Sequence, residues 1–262
     1  MPFLTKIPVN PYRTASVRLL GNPHLIHGAV SAGVPGDPRA ERLLWRLEKD
    51  DSYRPSIIVL TSTRPDYTHM SEKYGWPESD HGFPTTYDYD RLLSRLDVGQ
   101  QYHFRLTASP VQNKRRPDKL TEAQQRRQAT WDKETGTAAE RRLRGHRVPH
   151  RTVAQQRRWF IERARARGFE ILPSTQSDAV IDTGEPVSDE VDYQVAVVER
   201  RDVRFRKRGN TNPITFPSAT FEGALRISDP ILFRRTLLEG FGPSKAYGQG
   251  LLTVAPLQEG GT

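Results

Sequence analysis

Cysteine is absent, so the chain can build neither a disulfide framework nor a thiolate metal site, and nothing in its composition points to secretion. A reducing cytoplasm fits. Long apolar runs are missing too: no stretch approaches the roughly 20 apolar residues of a membrane span. The first residues alternate instead of forming the apolar core of a signal peptide. The expectation is a soluble, cytoplasmic protein with no membrane partner. Acid is the scarcer charge. The 262 residues carry 31 Asp and Glu against 40 Lys and Arg, a formal net charge of +9 with His neutral. Such a surface favours polyanions, nucleic acid first, although a solvated basic surface with no ligand has the same composition. With 35% apolar residues over that length, one large domain or two small ones can bury a core.

Phe3, Thr5, Ile7 and Val9 share one face of an N-terminal strand, with Leu4 and Lys6 on the other. Asn22 and Pro23 then open a helix. Leu43, Trp45 and Leu47 alternate with Leu44 and Arg46, and Ile57, Ile58, Val59 and Leu60 form a β-branched run between Pro55 and Pro65, which gives two more strands. Past a Pro/Gly-punctuated stretch from Trp76 to Pro84 and a short helix near Asp90–Leu96, the alternation of Tyr102, Phe104 and Leu106 makes a fourth strand. The order β-α-β-β-α-β is that of the ferredoxin-like split unit, and it assigns residues 1–110 to a first domain.

Residues 111–150 lose apolar content and gain arginine, Arg115, Arg116, Arg141, Arg142 and Arg144 among them. They read as a basic insert or linker, with a solvated helix near Glu122–Gln128, or as an RNA contact. Residues 151–262 read as a second α+β domain. Thr152 caps a helix that runs to about Arg167 and stops at Gly168. Strands follow at Phe169–Leu172, Tyr193–Val198, Val203–Arg208 and Phe216–Ile227, the last two joined by the turn signal Gly209-Asn210. Asp229 and Pro230 start a final helix that ends at Gly240, and Leu251–Val254 closes as a strand.

Three places carry candidate chemistry. The loop from Gly240 to Gly250 joins a helix to a strand, the reverse of the strand-to-helix order that a dinucleotide or P-loop site requires, so no nucleotide cofactor is expected. Its glycines, Gly240, Gly242, Gly248 and Gly250, permit close backbone approach, and Lys245 with Tyr247 adds a cation and an aromatic ring. A tight structural connection is the other reading. His24 and His27 lie three residues apart, on one face of a helical turn, and either imidazole can carry a proton near neutral pH. They can equally be surface histidines. A zinc site lacks a third ligand nearby in sequence, so no metal is expected. Finally, Arg204, Arg206 and Arg208 alternate with Phe205 and Lys207, which makes a strand face suited to phosphates or an edge strand charged against aggregation.

Taken together these pieces resemble the CasE family, the CRISPR-RNA-processing endoribonucleases of type I-E systems. The matching segments are Asn10-Pro11, Asn22-Pro23 with His27, Arg42–Leu47, Phe221-Glu222-Gly223 leading to Ile227–Pro230, and the glycine loop with Leu251–Pro256. The resemblance covers nearly the whole chain and implies two tandem ferredoxin-like (RRM-like, RAMP) domains. It further implies a metal-independent cut at the 3′ base of a CRISPR repeat hairpin, by attack of the 2′-hydroxyl to leave a 2′,3′-cyclic phosphate. The family's catalytic histidine corresponds to His27; His24 stands where relatives can carry tyrosine. By the same resemblance Arg204, Arg206, Lys207 and Arg208 enter the RNA stem's groove, Lys245 and Tyr247 lie near the scissile phosphate, and the subunits of a type I-E surveillance complex are partners. A non-catalytic RNA-binding scaffold subunit is the alternative.

Overall fold

The computed structural model describes residues 1–37, 41–79, 82–114, 122, 125–126, 146–174, 192–207 and 212–257. The first unit contains β1 (Phe3–Pro8), α1 (Thr14–Leu20), α2 (Pro23–Ser31), β2 (Leu44–Glu48), β3 (Ser56–Thr61), α3 (Thr68–Tyr74) and β4 (Thr85–Asp88). Its four-stranded sheet has the order β2-β3-β1-β4, antiparallel throughout. Pleating sends alternate residues to opposite faces. Ile7, Trp45, Ile57 and Val59 therefore share a core with Leu19, Ile26, Val30 and Met70 of the three helices. Leu44 and Leu60, directly paired across β2 and β3, face the other way and join the core of the second unit.

A short helix α4 (Asp90–Leu93) leads to β5 (Gln101–Ala108), followed by β6 (Val111–Lys114), β7 (His146–Pro149), α5 (Val153–Ala164) and β8 (Phe169–Ile171). Then come β9 (Val195–Phe205), β10 (Ile214–Ile227), α6 (Pro230–Glu239) and β11 (Leu252–Pro256). The second sheet has the order β11-β5-β10-β8, with β9 pairing along β10. With β5-α5-β8-β10-α6-β11 in sequence, both sheets obey the same topology, and the fold is two tandem ferredoxin-like domains.

That topology corrects the expected division at residue 110. The strand pattern places Tyr102–Leu106 as the fourth strand of the first domain, but β5 pairs with β10 and β11 and opens the second. The fourth strand of the first sheet is β4, which lies beyond the punctuated stretch, and α3 supplies the helix assigned to Asp90–Leu96. The expected strands at Tyr193–Val198 and Val203–Arg208 are parts of one strand, β9. The ends of the 111–150 insert form a two-stranded hairpin, β6 with β7. Of its expected helix at Glu122–Gln128, Glu122, Gln125 and Arg126 are described and helical; the other residues of that stretch, and Arg208 and Asn210 in the turn after β9, lie outside the described residues.

Helix starts follow local capping. Asn22 accepts from the backbone N–H of His24 at 2.9 Å, Thr152 and Gln155 form a capping box, and Asp229 accepts from Ile231 and Leu232. Gly168 ends the 3₁₀ extension of α5 at φ 85°, where a Cβ would strike the backbone of Asp229 and Phe233. Among the described residues no helix is long and apolar enough to cross a membrane.

Candidate active site

Helix α2 is fixed by its apolar side. Ile26 and Val30 are buried in the first core, which leaves His24 and His27 on the half-buried side, toward the second unit. Against that side packs the 3₁₀ turn Lys245–Tyr247 of the glycine loop. The loop is held by its own backbone: Phe241 N–H donates to Gly250 and Gly250 N–H donates to Thr107. The buried Gln249 accepts from the Ser218 hydroxyl at 3.0 Å. Gly240, Gly242, Gly248 and Gly250 all take positive φ, between 77° and 93°. The loop wraps the free edge of β2, with Gly240 against Leu44 and Gly248 against the Trp45 ring.

Tyr247 packs into a small aromatic cluster, 4.8 Å from Phe205 and 5.9 Å from Phe216 by ring centroids. Lys207, just past the end of β9, sets its ammonium 5.6 Å from the Tyr247 centroid. The same lysine is an electrostatic neighbour of His27. Burial holds the His27 imidazole below its ordinary pKa, and the charges of His24 and Lys207 push it further down. Its Nδ1 is buried with no hydrogen-bond partner. The outcome is an imidazole that is neutral near neutral pH, with a cation beside it and one ring nitrogen uncommitted. A neutral imidazole can accept a proton, and Lys207 can face a phosphate.

A cleft of about 220 Å³ runs between the two units, lined by Pro23 and Ile26 of α2 and by Lys49, Arg201, Arg204 and Tyr247 among others, but by neither histidine. Arg204 is thus in the same cleft as the N-terminus of α2, while Arg206 is exposed at the end of β9. Lys245 has different company from Tyr247. Its charged neighbours are Arg42, Arg167 and Glu239, and burial together with the two guanidinium groups lowers its pKa. Sequence reasoning missed Lys49, Arg201 and Gln249. Arg201 was discoverable, since one continuous strand from Val195 to Phe205 would have carried it into the cleft. Lys49 and Gln249 give no local signal. Among the described residues no group of three His, Asp or Glu side chains is placed to hold a metal ion.

Residues 2–256, which include every one of these side chains, match the family described as CRISPR associated protein. The chain belongs to that family. The match bears out the resemblance read from the sequence. Within the family the chain is similar to the CRISPR-associated endoribonuclease Cse3 of Thermus thermophilus. The two are 29% identical over 259 residues, which is 97% of this chain and 100% of that relative. The solved structure of CRISPR endoribonuclease Cse3 bound to a 19-nucleotide RNA superposes with a TM-score of 0.66 at 28% identity, over 97% of this chain and 99% of that one. Thermus thermophilus Cse3 bound to an RNA representing a pre-cleavage complex gives a TM-score of 0.64 at 29% identity, with the same coverage.

Proposed function

We propose that this chain is a CRISPR RNA-processing endoribonuclease that binds the repeat hairpin of the precursor and cuts it without a metal. The observation that carries the reading is His27: a neutral, half-buried imidazole on α2, pressed against the glycine loop, with Lys207 beside it. RNA brings its own nucleophile. His27 takes the proton of the 2′-hydroxyl, the 2′ oxygen attacks the adjacent phosphorus, and the bond to the 5′ oxygen breaks as that oxygen regains a proton. The upstream product ends in a 2′,3′-cyclic phosphate and the downstream product begins with a 5′-hydroxyl. His24, on the same face of α2, supplies the second imidazole. Lys207 stabilises the extra negative charge of the phosphorane, a task for a fixed cation in a partly dried site.

Arg204 and Arg206, at the end of β9, serve the stem's phosphates, since duplex RNA is read mainly through shape, phosphates and 2′-hydroxyls. The reading assigns the protein to the cytoplasm, with the repeat hairpin and the other subunits of a type I-E surveillance complex as its partners. The test is incubation with repeat RNA from the source organism's own array in EDTA, with end-group analysis of the products. A cyclic phosphate at the expected cut supports the reading. Tight binding of RNA that stays intact under all conditions would instead mark a scaffold.

A further inference from the structure

A second basic cleft, of about 500 Å³, opens beside α5 and the start of the glycine loop. Trp159 and Phe241 meet edge to face behind it, with ring centroids 5.5 Å apart, and both are buried. Arg163 lies 5.1 Å from the Trp159 centroid and Arg167 lies 5.7 Å from that of Phe241. Arg147, from β7, lines the same cleft and is exposed. Among the described residues none of these three arginines makes an ion pair with a carboxylate. Arg42 and Lys245 extend the patch, because Lys245 has Arg42 and Arg167 as its charged neighbours. The carboxylate beside Lys245, Glu239, is already engaged by Arg235 at 2.9 Å.

Like charges gathered without counter-charges raise the energy of the free protein, and an anion relieves that. The arginines are also pre-shaped for the task. Arg163 donates one N–H to the Trp159 carbonyl at 3.0 Å, which fixes it over the ring; a guanidinium held on a ring in this way still presents its other face and its remaining N–H groups to a base or a phosphate. Position adds the decisive point. Lys245 and Tyr247 occupy the same 3₁₀ turn: Tyr247 carries Lys207 toward His27, while Lys245 stands with Arg42 and Arg167. The turn connects the cut site to this cleft.

We propose that the cleft of Arg147, Arg163 and Arg167 holds the single-stranded RNA that continues from the hairpin beside the scissile phosphate. The inference rests on the ribonuclease reading and adds to it a site outside both the reaction centre and the stem. An RNA strand fits because phosphodiester charge and exposed base faces suit guanidinium planes on aromatic backing, and single-strand sites are built from such stacking and charge.

The test compares the wild-type chain with the triple variant R147Q/R163Q/R167Q, in which glutamine keeps much of the aliphatic stem over each ring. The RNAs are the hairpin alone and the hairpin with eight unpaired nucleotides on its 5′ side or its 3′ side, each with a 2′-deoxy sugar at the cut. In the wild type, a flank on one side should strengthen binding by roughly tenfold, the effect of a single good stacking or charge contact. The triple variant should lose that gain. Its affinity for the bare hairpin and its single-turnover rate on unmodified hairpin should match the wild type. The slope of log affinity against log salt for the flanked RNA should fall by about 2, for three contacts of about 0.7 each.

A flank that adds nothing in the wild type overturns the proposal, as does a flank gain that survives in the triple variant. Equal weakening of bare and flanked hairpins overturns it too, by assigning the arginines to the stem. Unchanged RNA affinities throughout would leave the cleft to an acidic protein partner. A labelled 12-nucleotide uridine RNA keeps the two readings separate: its binding should depend on the three arginines even where no hairpin is held, whereas failure of hairpin binding and cutting alone counts against the ribonuclease reading.

Discussion

The Arg46 guanidinium on β2 of the first unit donates to the carbonyl oxygen of Leu251, just before β11 of the second, at 2.9 Å. The same group reaches the Arg105 carbonyl on β5 at 2.8 Å and the Thr253 hydroxyl at 2.7 Å, and it pairs with Glu48. Arg46 is almost fully buried, with 4% side-chain exposure, so its charge is tolerable only because its donors are satisfied. The fork clasps the two sheets together and also fixes β2, the strand edge that carries the glycine loop.

Arg46→Ala should therefore destabilise the protein by about 3 kcal/mol, since it strips the buried donors from the Leu251 and Arg105 carbonyls, while Glu48 keeps Arg105 as its partner at 3.2 Å. Arg46→Lys should recover little, because an ammonium cannot reproduce the planar fork. Denaturant unfolding of the three proteins measures this, and a lysine variant as stable as the wild type would show that charge alone makes the clasp.

Two glycines near the site have opposite requirements. Gly248 has φ 77°, and a Cβ there would lie 2.6 Å from the Trp45 ring. Gly248→Ala should cost about 1–3 kcal/mol in strain, displace Tyr247 and slow single-turnover cleavage. Gly28, in α2 directly after His27, has ordinary helical geometry, and a methyl group there would meet nothing within 4 Å. Gly28→Ala should stabilise the fold by roughly 0.5–1 kcal/mol. Thermal unfolding alongside single-turnover assays would distinguish the two, and equal effects would contradict the packing just described.

What the sequence could reveal was set by distance along the chain. Asn22, Thr152 with Gln155, and Asp229 announced three helices because a cap acts within three residues. The pairing of His24 with His27 was readable for the same reason. Alternation in Tyr102–Leu106 announced a strand but carried no information about its partner, so β5 was placed in the wrong sheet; its true neighbours, β10 and β11, lie over a hundred residues on. The meeting of Lys207 with Tyr247 and His27 depends on that same long-range pairing. Arg46 looked like an ordinary polar residue of an alternating strand, since burial and satisfied donors are properties of the packed state.

Lys207 should tune His27. Its positive charge, with that of His24 and with burial, disfavours the imidazolium and lowers the His27 pKa. Removing the cation relieves that repulsion, so in Lys207→Ala the His27 pKa should rise. The shift is upward whichever proton His27 carries: the rising limb of the rate profile moves to higher pH if the neutral form acts, and the falling limb moves to higher pH if the protonated form does. The maximum rate should also drop, and Lys207→Arg should restore much of it. An NMR titration of the His27 ring in wild type and variant checks the sign independently of catalysis, and an unmoved or lower pKa in Lys207→Ala would remove Lys207 from the site.

The nucleophile gives the most decisive comparison. If the RNA supplies the attacking oxygen, replacing the single 2′-hydroxyl on the 5′ side of the scissile phosphate by hydrogen deletes the reaction, while the hairpin still binds almost as tightly. A water activated by a metal would be indifferent to that sugar, and EDTA would stop it. His27→Ala should imitate the deoxy substrate from the protein side: cleavage slowed on the order of 10² to 10⁴, hairpin affinity nearly unchanged, because the imidazole acts on the transition state more than on the bound ground state. Combining the two changes adds a control. The deoxy substrate should show no cleavage with either protein, since a missing nucleophile leaves nothing for His27 to accelerate. Measurable cutting of the deoxy RNA that falls further in His27→Ala would mean that His27 serves a different nucleophile, and the cyclic-phosphate route would have to be abandoned.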